Sequence, residues 1–192
     1  MKTTNFKNAI SILALAIVGM IAGNAGFAAE PAAAKPAVTA ATPAVELKLV
    51  TWDEYQTWLK QQQGNIVVVD CWATYCAPCK TEFPHLVELS KKHAKDKVKC
   101  VSLSFDFEET KDPEKTYQPV REFLTKMDAR FTNLLVTLDA DELHQKVGLT
   151  SIPGVFVYDA QGKLHKLFDN SEPGKQFTYE QVGAAVEALS KP

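Results

Sequence analysis

Cys76 and Cys79 stand in the run Cys76-Ala77-Pro78-Cys79, and they are the side chains of this chain best placed to do chemistry. Two thiols at this spacing can make and break a bond with each other, which is what thiol–disulfide exchange requires. The exchange also needs the attacking sulfur to be exposed and partly ionised. Cys76 follows an apolar run, Ile66–Cys71, and opens a segment with helical periodicity. Unpaired N–H groups and the positive end of a helix dipole stabilise a thiolate there and lower a thiol pKa from about 8.5 into the range of roughly 3.5–7.5. Pro78 suits a first helical turn, where its missing N–H costs nothing. Cys79 falls one turn later and is expected to be the more buried sulfur, able to resolve a mixed disulfide formed at Cys76. Other uses of the pair fit less well. A two-residue gap closes too small a loop to serve as a staple. A zinc site needs four ligands, yet there is no second Cys-x-x-Cys and no His pair. Cys71 and Cys100 fall on expected buried strands, and His85, His93, His144 and His165 are scattered. No metal is expected.

The elements that must position this pair follow from local patterning. Val45–Val50 alternates apolar and polar residues and reads as an edge strand. Thr51-Trp52-Asp53-Glu54 has capping-box spacing and starts a helix that runs to about Gln63 and stops at Gly64. Ile66–Cys71, continuous and apolar except for Asp70, fits a central strand buried on both faces. Residues 77–95 read as a helix with Phe83, Leu86, Val87, Leu89 and Ala94 on one face and a kink expected at Pro84. Val98–Phe105 is the next strand. Residues 107–117, charged and containing Asp112-Pro113, read as a loop. Pro119–Asp128 reads as a short helix and Leu134–Leu138 as an extended stretch. Asp141–Val147 reads as a helix closed by Gly148. Val155–Tyr158 and Lys163–Phe168 form a hairpin across Asp159-Ala160-Gln161-Gly162. A last helix begins at Thr178-Tyr179-Glu180-Gln181 and runs to about Leu189. Parallel strands crossed by helices and followed by an antiparallel hairpin make an α/β fold, with a central mixed sheet flanked by helices.

The N-terminus follows a different logic. Lys2 and Lys7 precede an apolar run from Ala9 to Ala22, which ends in the small residues Gly23 to Ala28. This is the tripartite layout of a secretory signal, residues 1–28, with cleavage expected after Ala28. The run is shorter than the ~20 apolar residues of a spanning helix; left uncleaved, it would tether the chain to a membrane. Residues 29–44 are rich in Ala and Pro and read as a disordered linker. The folded domain is expected over 45–192. Export would place it in a periplasmic or otherwise extracytoplasmic compartment, where disulfides persist. The 192 residues carry 21 basic and 23 acidic side chains, a net charge of −2. No basic patch points to nucleic acid.

The segment Val67-Val-Val-Asp-Cys-Trp-Ala-Thr-Tyr-Cys-Ala-Pro-Cys-Lys-Thr-Glu-Phe-Pro84 resembles the active-site segment of thioredoxin-like proteins, especially the exported TlpA/ResA group. The likeness covers about residues 45–190. It implies a thioredoxin fold and a thiol–disulfide oxidoreductase that needs no cofactor, its redox centre being the Cys76–Cys79 disulfide. It also implies that residues 107–138 hold the insertion typical of the group. Asp70 matches the buried acid that accepts the Cys79 proton during resolution, and a carboxylate at the end of a buried strand needs some such reason. Glu82 matches an acid that tunes the thiols. Ile152-Pro153 matches the cis-proline pair facing the dithiol, which would offer the Ile152 backbone to a substrate strand and block metal capture. Trp72, Tyr75 and Pro78, beside the thiols, complete the expected substrate surface, with Trp72 as a lid. Tyr75 stands where a Trp is usual, Gly154 where a Thr is frequent and Cys71 where a Phe is usual. The resemblance favours a monomeric reductant of exported proteins bearing thiols or disulfides, fed by a membrane thiol–disulfide electron donor.

Two other readings stand beside this one. A thiol peroxidase shares the fold, but it would place Thr within a Pro-x-x-x-Thr-x-x-Cys pattern, and no such Pro or spacing accompanies Thr74. A non-catalytic binding or chaperone module, for example in cytochrome c maturation, would suit the helix and linker but gives the two cysteines no task.

Overall fold

The structure is a computed structural model that describes residues 45–171, 174 and 176–191. The expected signal segment 1–28 and linker 29–44 lie outside the described residues.

Six strands form one mixed sheet in the order β1-β4-β3-β2-β5-β6. β1 (Lys48–Val50), β4 (Thr132–Val136), β3 (Val98–Ser104) and β2 (Ile66–Trp72) run parallel, while β5 (Gly154–Tyr158) and β6 (Leu164–Asp169) close the sheet antiparallel. This is a thioredoxin-like α/β fold. β2 lies at the centre, between β3 and β5, and all seven of its residues are buried. Helices cover both faces, so an almost continuous apolar strand is what this position requires.

The helices start where their caps are. α1 (Trp52–Gln61) begins on a complete Thr51–Glu54 capping box. α2 (Ala77–Lys92) begins at Cys76, carries Pro84 on its exposed side without ending there, and buries Phe83, Leu86, Val87 and Leu89. It stops at Lys92, short of the expected residue 95, so Ala94 is exposed rather than on the buried face. α5 (Ala140–Val147) starts at Asp139 and ends on Gly148, whose φ of 76° is left-handed. Glycine takes that conformation without steric cost. α6 (Tyr179–Ser190) starts on the Thr178–Gln181 capping box.

Residues 107–138 hold more structure than the sequence reading gave them. The stretch expected as a loop contains the single turn α3 (Pro113–Thr116), because the Asp112 side chain caps it and Pro113 fits its first position. α4 (Gln118–Lys126) follows, and β4 then inserts between β1 and β3. A buried polar knot fixes that strand. Ser102 Oγ donates to Asn133 Oδ1 at 2.9 Å, and Asn133 Nδ2 donates to the carbonyls of Ala129, Phe131 and Glu46 at 2.9, 3.0 and 3.1 Å. Among the described residues no helix is long and apolar enough to cross a membrane.

Candidate active site

The dithiol sits where β2 hands the chain to α2. After Trp72 the chain makes a turn closed by Cys76 N–H donating to the Ala73 carbonyl at 3.1 Å, and α2 then begins. Cys76 is the N-cap of that helix. Its sulfur accepts the Cys79 N–H at 3.3 Å and is bonded to the Cys79 sulfur, with the two Cα atoms 5.3 Å apart. The first turn of α2 holds no acidic residue, so nothing there offsets the positive end of the helix. Cys76 is 8% exposed and Cys79 2%. The sulfur nearer the surface is therefore Cys76, which sits at the helix end, while Cys79 lies behind it.

Asp70 and Glu82 come together on the α2 and α6 side of the sheet. Asp70 is 3% exposed and accepts a short hydrogen bond from the Tyr179 hydroxyl of α6. Burial pushes its carboxyl up to about 7; the Tyr179 bond pulls the other way and the charge of Glu82 adds to the rise. Glu82 is partly exposed, with its carboxylate 3.9 Å from His85 Nε2. Tyr179 entered the sequence reading only as part of a capping box. Its partner Asp70 is 109 positions away, and no local pattern carries that information.

Opposite register places the proline. Cys71 pairs with Gly154 across β2 and β5, so Pro153 stands beside the end of β2 from which the dithiol turn leaves. The Ile152–Pro153 bond is cis. Pro153 is buried, Ile152 half-buried, and Pro78 exposed in the first turn of α2. Tyr75 is 65% exposed, immediately before Cys76. Trp72 is different from its expectation. It is fully buried, packed 5.0 Å from the Phe83 ring and 4.8 Å from the Phe123 ring, and so belongs to the core rather than to a substrate-facing surface. A Cβ on Gly154 would lie 2.8 Å from both δ-carbons of buried Leu149, which accounts for the glycine there.

Asp106 was not singled out in the sequence. It follows the end of β3, and its carboxylate accepts the Thr74 N–H at 3.0 and 3.1 Å, the Thr74 hydroxyl in a short contact, and the Ser104 hydroxyl at 2.7 Å. The available signal was positional. An acid just past the carboxyl end of a parallel strand lies where open α/β sheets place their functional loops.

Cys71 and Cys100 are both free and buried. In register, Cys100 pairs with Val68 and therefore faces the same side as Asp70, whereas Cys71 faces the other side. The sheet stands between the two thiols, so they cannot bridge. Burial pushes the Cys100 thiol up to about 12 and raises Cys71 well above its usual value.

A thioredoxin-like sheet that delivers a vicinal dithiol to a helix N-terminus, with a cis-proline beside it, defines a thioredoxin-like thiol–disulfide oxidoreductase. The AhpC/TSA family model matches residues 38–167, and the chain belongs to that family. It is similar to the thioredoxin-like protein YneN of Bacillus subtilis, 27% identical over 124 residues covering 65% of this chain and 68% of YneN. It is also similar to the sporulation thiol-disulfide oxidoreductase A of that species, 27% identical over 152 residues, 78% of this chain and 82% of the relative. The thiol-disulfide oxidoreductase ResA of Bacillus cereus is 29% identical over 107 residues, 55% of this chain and 56% of ResA, so the match spans about half of ResA. Among solved structures, a putative thiol:disulfide interchange protein DsbE from Chlorobium tepidum shares the fold. Its TM-score is 0.55 at 22% identity, over 69% of this chain and 85% of that one.

Proposed function

We propose that this chain reduces protein disulfides outside the cytoplasm through Cys76 and Cys79. The observation that carries the reading is the Cys76 sulfur at the N-terminus of α2, accepting the Cys79 N–H, with the second sulfur directly behind it. In the reduced protein the Cys76 thiolate attacks one sulfur of a substrate disulfide. A Cys76–substrate bond forms, and the other substrate sulfur leaves as a thiolate that takes up a proton from water. Cys79 loses its proton to the ionised Asp70 carboxylate and attacks the Cys76 sulfur. The Cys76–Cys79 bond forms, the Cys76–substrate bond breaks, and the second substrate sulfur leaves as a thiolate that takes up a proton from water while Asp70 releases its own. The substrate gains two electrons and the protein loses two. An external thiol donor must return them. The tripartite N-terminal segment supports export, and a membrane thiol–disulfide relay would then be the donor. Tyr75, Pro78, Ile152 and Pro153 are the substrate-facing residues in this reading, Glu82 tunes the pair through Asp70, and no cofactor takes part.

Thr74 weighs against peroxidase chemistry, because its hydroxyl is committed to Asp106 rather than free to serve Cys76. The test is reduction of a model protein disulfide by the pre-reduced protein. Wild type is expected to turn over, Cys76→Ser to lose activity, and Cys79→Ser to accumulate a mixed disulfide with substrate. Full activity in Cys76→Ser would refute the reading. Hydrogen peroxide consumption exceeding disulfide reduction would replace it with a peroxidase. The direction of flow is read by a redox titration. A value near the oxidising end of the range for related dithiols, about −120 mV, would reverse it.

A further inference from the structure

The turn that presents Cys76 is tied down at three points. Its start continues β2, where Phe105 N–H donates to the Trp72 carbonyl at 2.8 Å and locks the ends of β2 and β3 together. Its end is α2 itself. Its middle is Thr74, whose main-chain N–H points away from the Ala73–Cys76 hydrogen bond and needs an acceptor from outside. Asp106, the next residue after Phe105, supplies it. Both carboxylate oxygens receive the Thr74 N–H, one also receives the Thr74 hydroxyl, and the other is held by the Ser104 hydroxyl. Ser104 Oγ in turn accepts the Asp106 N–H at 3.1 Å, so the carboxylate is braced from its own strand. Hydrogen bonds to an ionised acceptor are shorter and stronger than neutral ones. Among the described residues no cation within 4 Å pairs with Asp106; hydroxyl and amide donors hold it instead.

We propose that Asp106 is the positioning residue of the dithiol: through Thr74 it fixes the Ala73–Cys76 turn and so keeps the Cys76 sulfur on the N-terminus of α2. A thiolate gains from a helix end only within the first turn. A turn that drifts would therefore lose ionisation at Cys76 before it lost the fold. Removing Asp106 also removes a negative charge, which by itself would favour the thiolate. The two effects have opposite signs, and two substitutions separate them. Asp106→Ala loses both the acceptors and the charge. Asp106→Asn loses the charge but keeps one oxygen for the Thr74 N–H.

The experiment is the pH dependence of Cys76 alkylation by iodoacetamide in the reduced full-length protein. Asp106→Ala is expected to raise the midpoint and to cut the thiolate fraction at pH 7 at least threefold, with turnover falling in parallel. Asp106→Asn is expected to move the midpoint less, or downward. Asp159→Asn is the structural control. Asp159 braces the β5–β6 hairpin by accepting the Gln161 and Lys163 N–H groups at 3.0 and 2.9 Å, remote in sequence and fold from the dithiol. It is expected to lower stability and leave the alkylation profile unchanged. Should Asp106→Ala fail to fold, Thr74→Val decides, with an expected twofold loss of thiolate at pH 7. An unmoved or lowered midpoint in Asp106→Ala, or an unmoved one in Thr74→Val where that variant decides, overturns the proposal. The proposal rests on Cys76 being the attacking thiol, but the two fail separately. An active Cys76→Ser would remove the catalytic reading, whereas the alkylation profile reads Asp106 directly.

Discussion

Asp70→Asn exchanges a buried carboxyl for a neutral side chain of the same shape that can still accept the Tyr179 hydroxyl. The native carboxyl titrates at about 7 against a reference of 3.8, a rise of about three units caused first by burial. At 1.36 kcal/mol per unit this is about 4 kcal/mol of differential stability. The sign follows from where the protons sit. Below about pH 4 the carboxyl is neutral in both folded and unfolded chains, and its burial costs little. From about pH 4 to about pH 7 the unfolded chain ionises while the folded one holds its proton, so stability falls as pH rises. Above about pH 7 the whole penalty is present. Urea unfolding of the oxidised protein, where the active-site thiols do not titrate, should show Asp70→Asn more stable than wild type at pH 8 by up to about 4 kcal/mol. That is on the order of 10 °C in Tm for a domain of this size. The two proteins should converge by about pH 4, because Asp70 is then protonated in the folded chain and the other titrating groups are common to both. A difference that stays flat between pH 4 and pH 8, or a less stable Asp70→Asn at pH 8, would refute the account of Asp70 as a carboxyl that burial keeps protonated up to about pH 7. The same variant should slow release of substrate from the mixed disulfide, since Asn cannot accept the Cys79 proton.

Two further outcomes follow from the packing. In the native oxidised protein, Cys71 and Cys100 should resist maleimide for hours at pH 8 and react within minutes in denaturant, as counted by intact mass; both are buried and held as thiols. Gly154→Ala should destabilise by about 1–3 kcal/mol in a denaturant melt, the cost of forcing Leu149 out of its place.

The sequence exposed whatever depends on neighbours along the chain. β2 was readable because a strand buried on both faces is apolar throughout, and the start of α2 because a cysteine pair and a proline mark it. Asp70 stood out as a carboxyl in that apolar run. What local pattern could not show is who meets it. Tyr179 comes from α6 and Asp106 from the end of β3, each fixed by sheet topology rather than spacing. Trp72 falls in the interior for a similar reason. It shares the Asp70 face of β2, and only the arrival of Phe83 from α2 and Phe123 from α4 makes that position interior. The turn α3 is not legible locally, because Asp112-Pro113 is equally good at opening a loop or a single helical turn.

The Ser102–Asn133 knot acts as a key for strand register. A slip of β4 by two residues along β3 would keep each side chain on its own face and would set Leu135 beside Ser102. Apolar packing would barely register the change, since Leu and Val fill most of the strand. The polar count would register it at once, because the Ser102 hydroxyl and the Glu46 carbonyl, which come from outside β4, would both lose Asn133. One asparagine thus discriminates between alignments that hydrophobicity leaves nearly equal. The choice reaches the dithiol, for β4 leads through Asp139 into α5, whose His144 ring packs 4.7 Å from Phe105, the neighbour of Asp106.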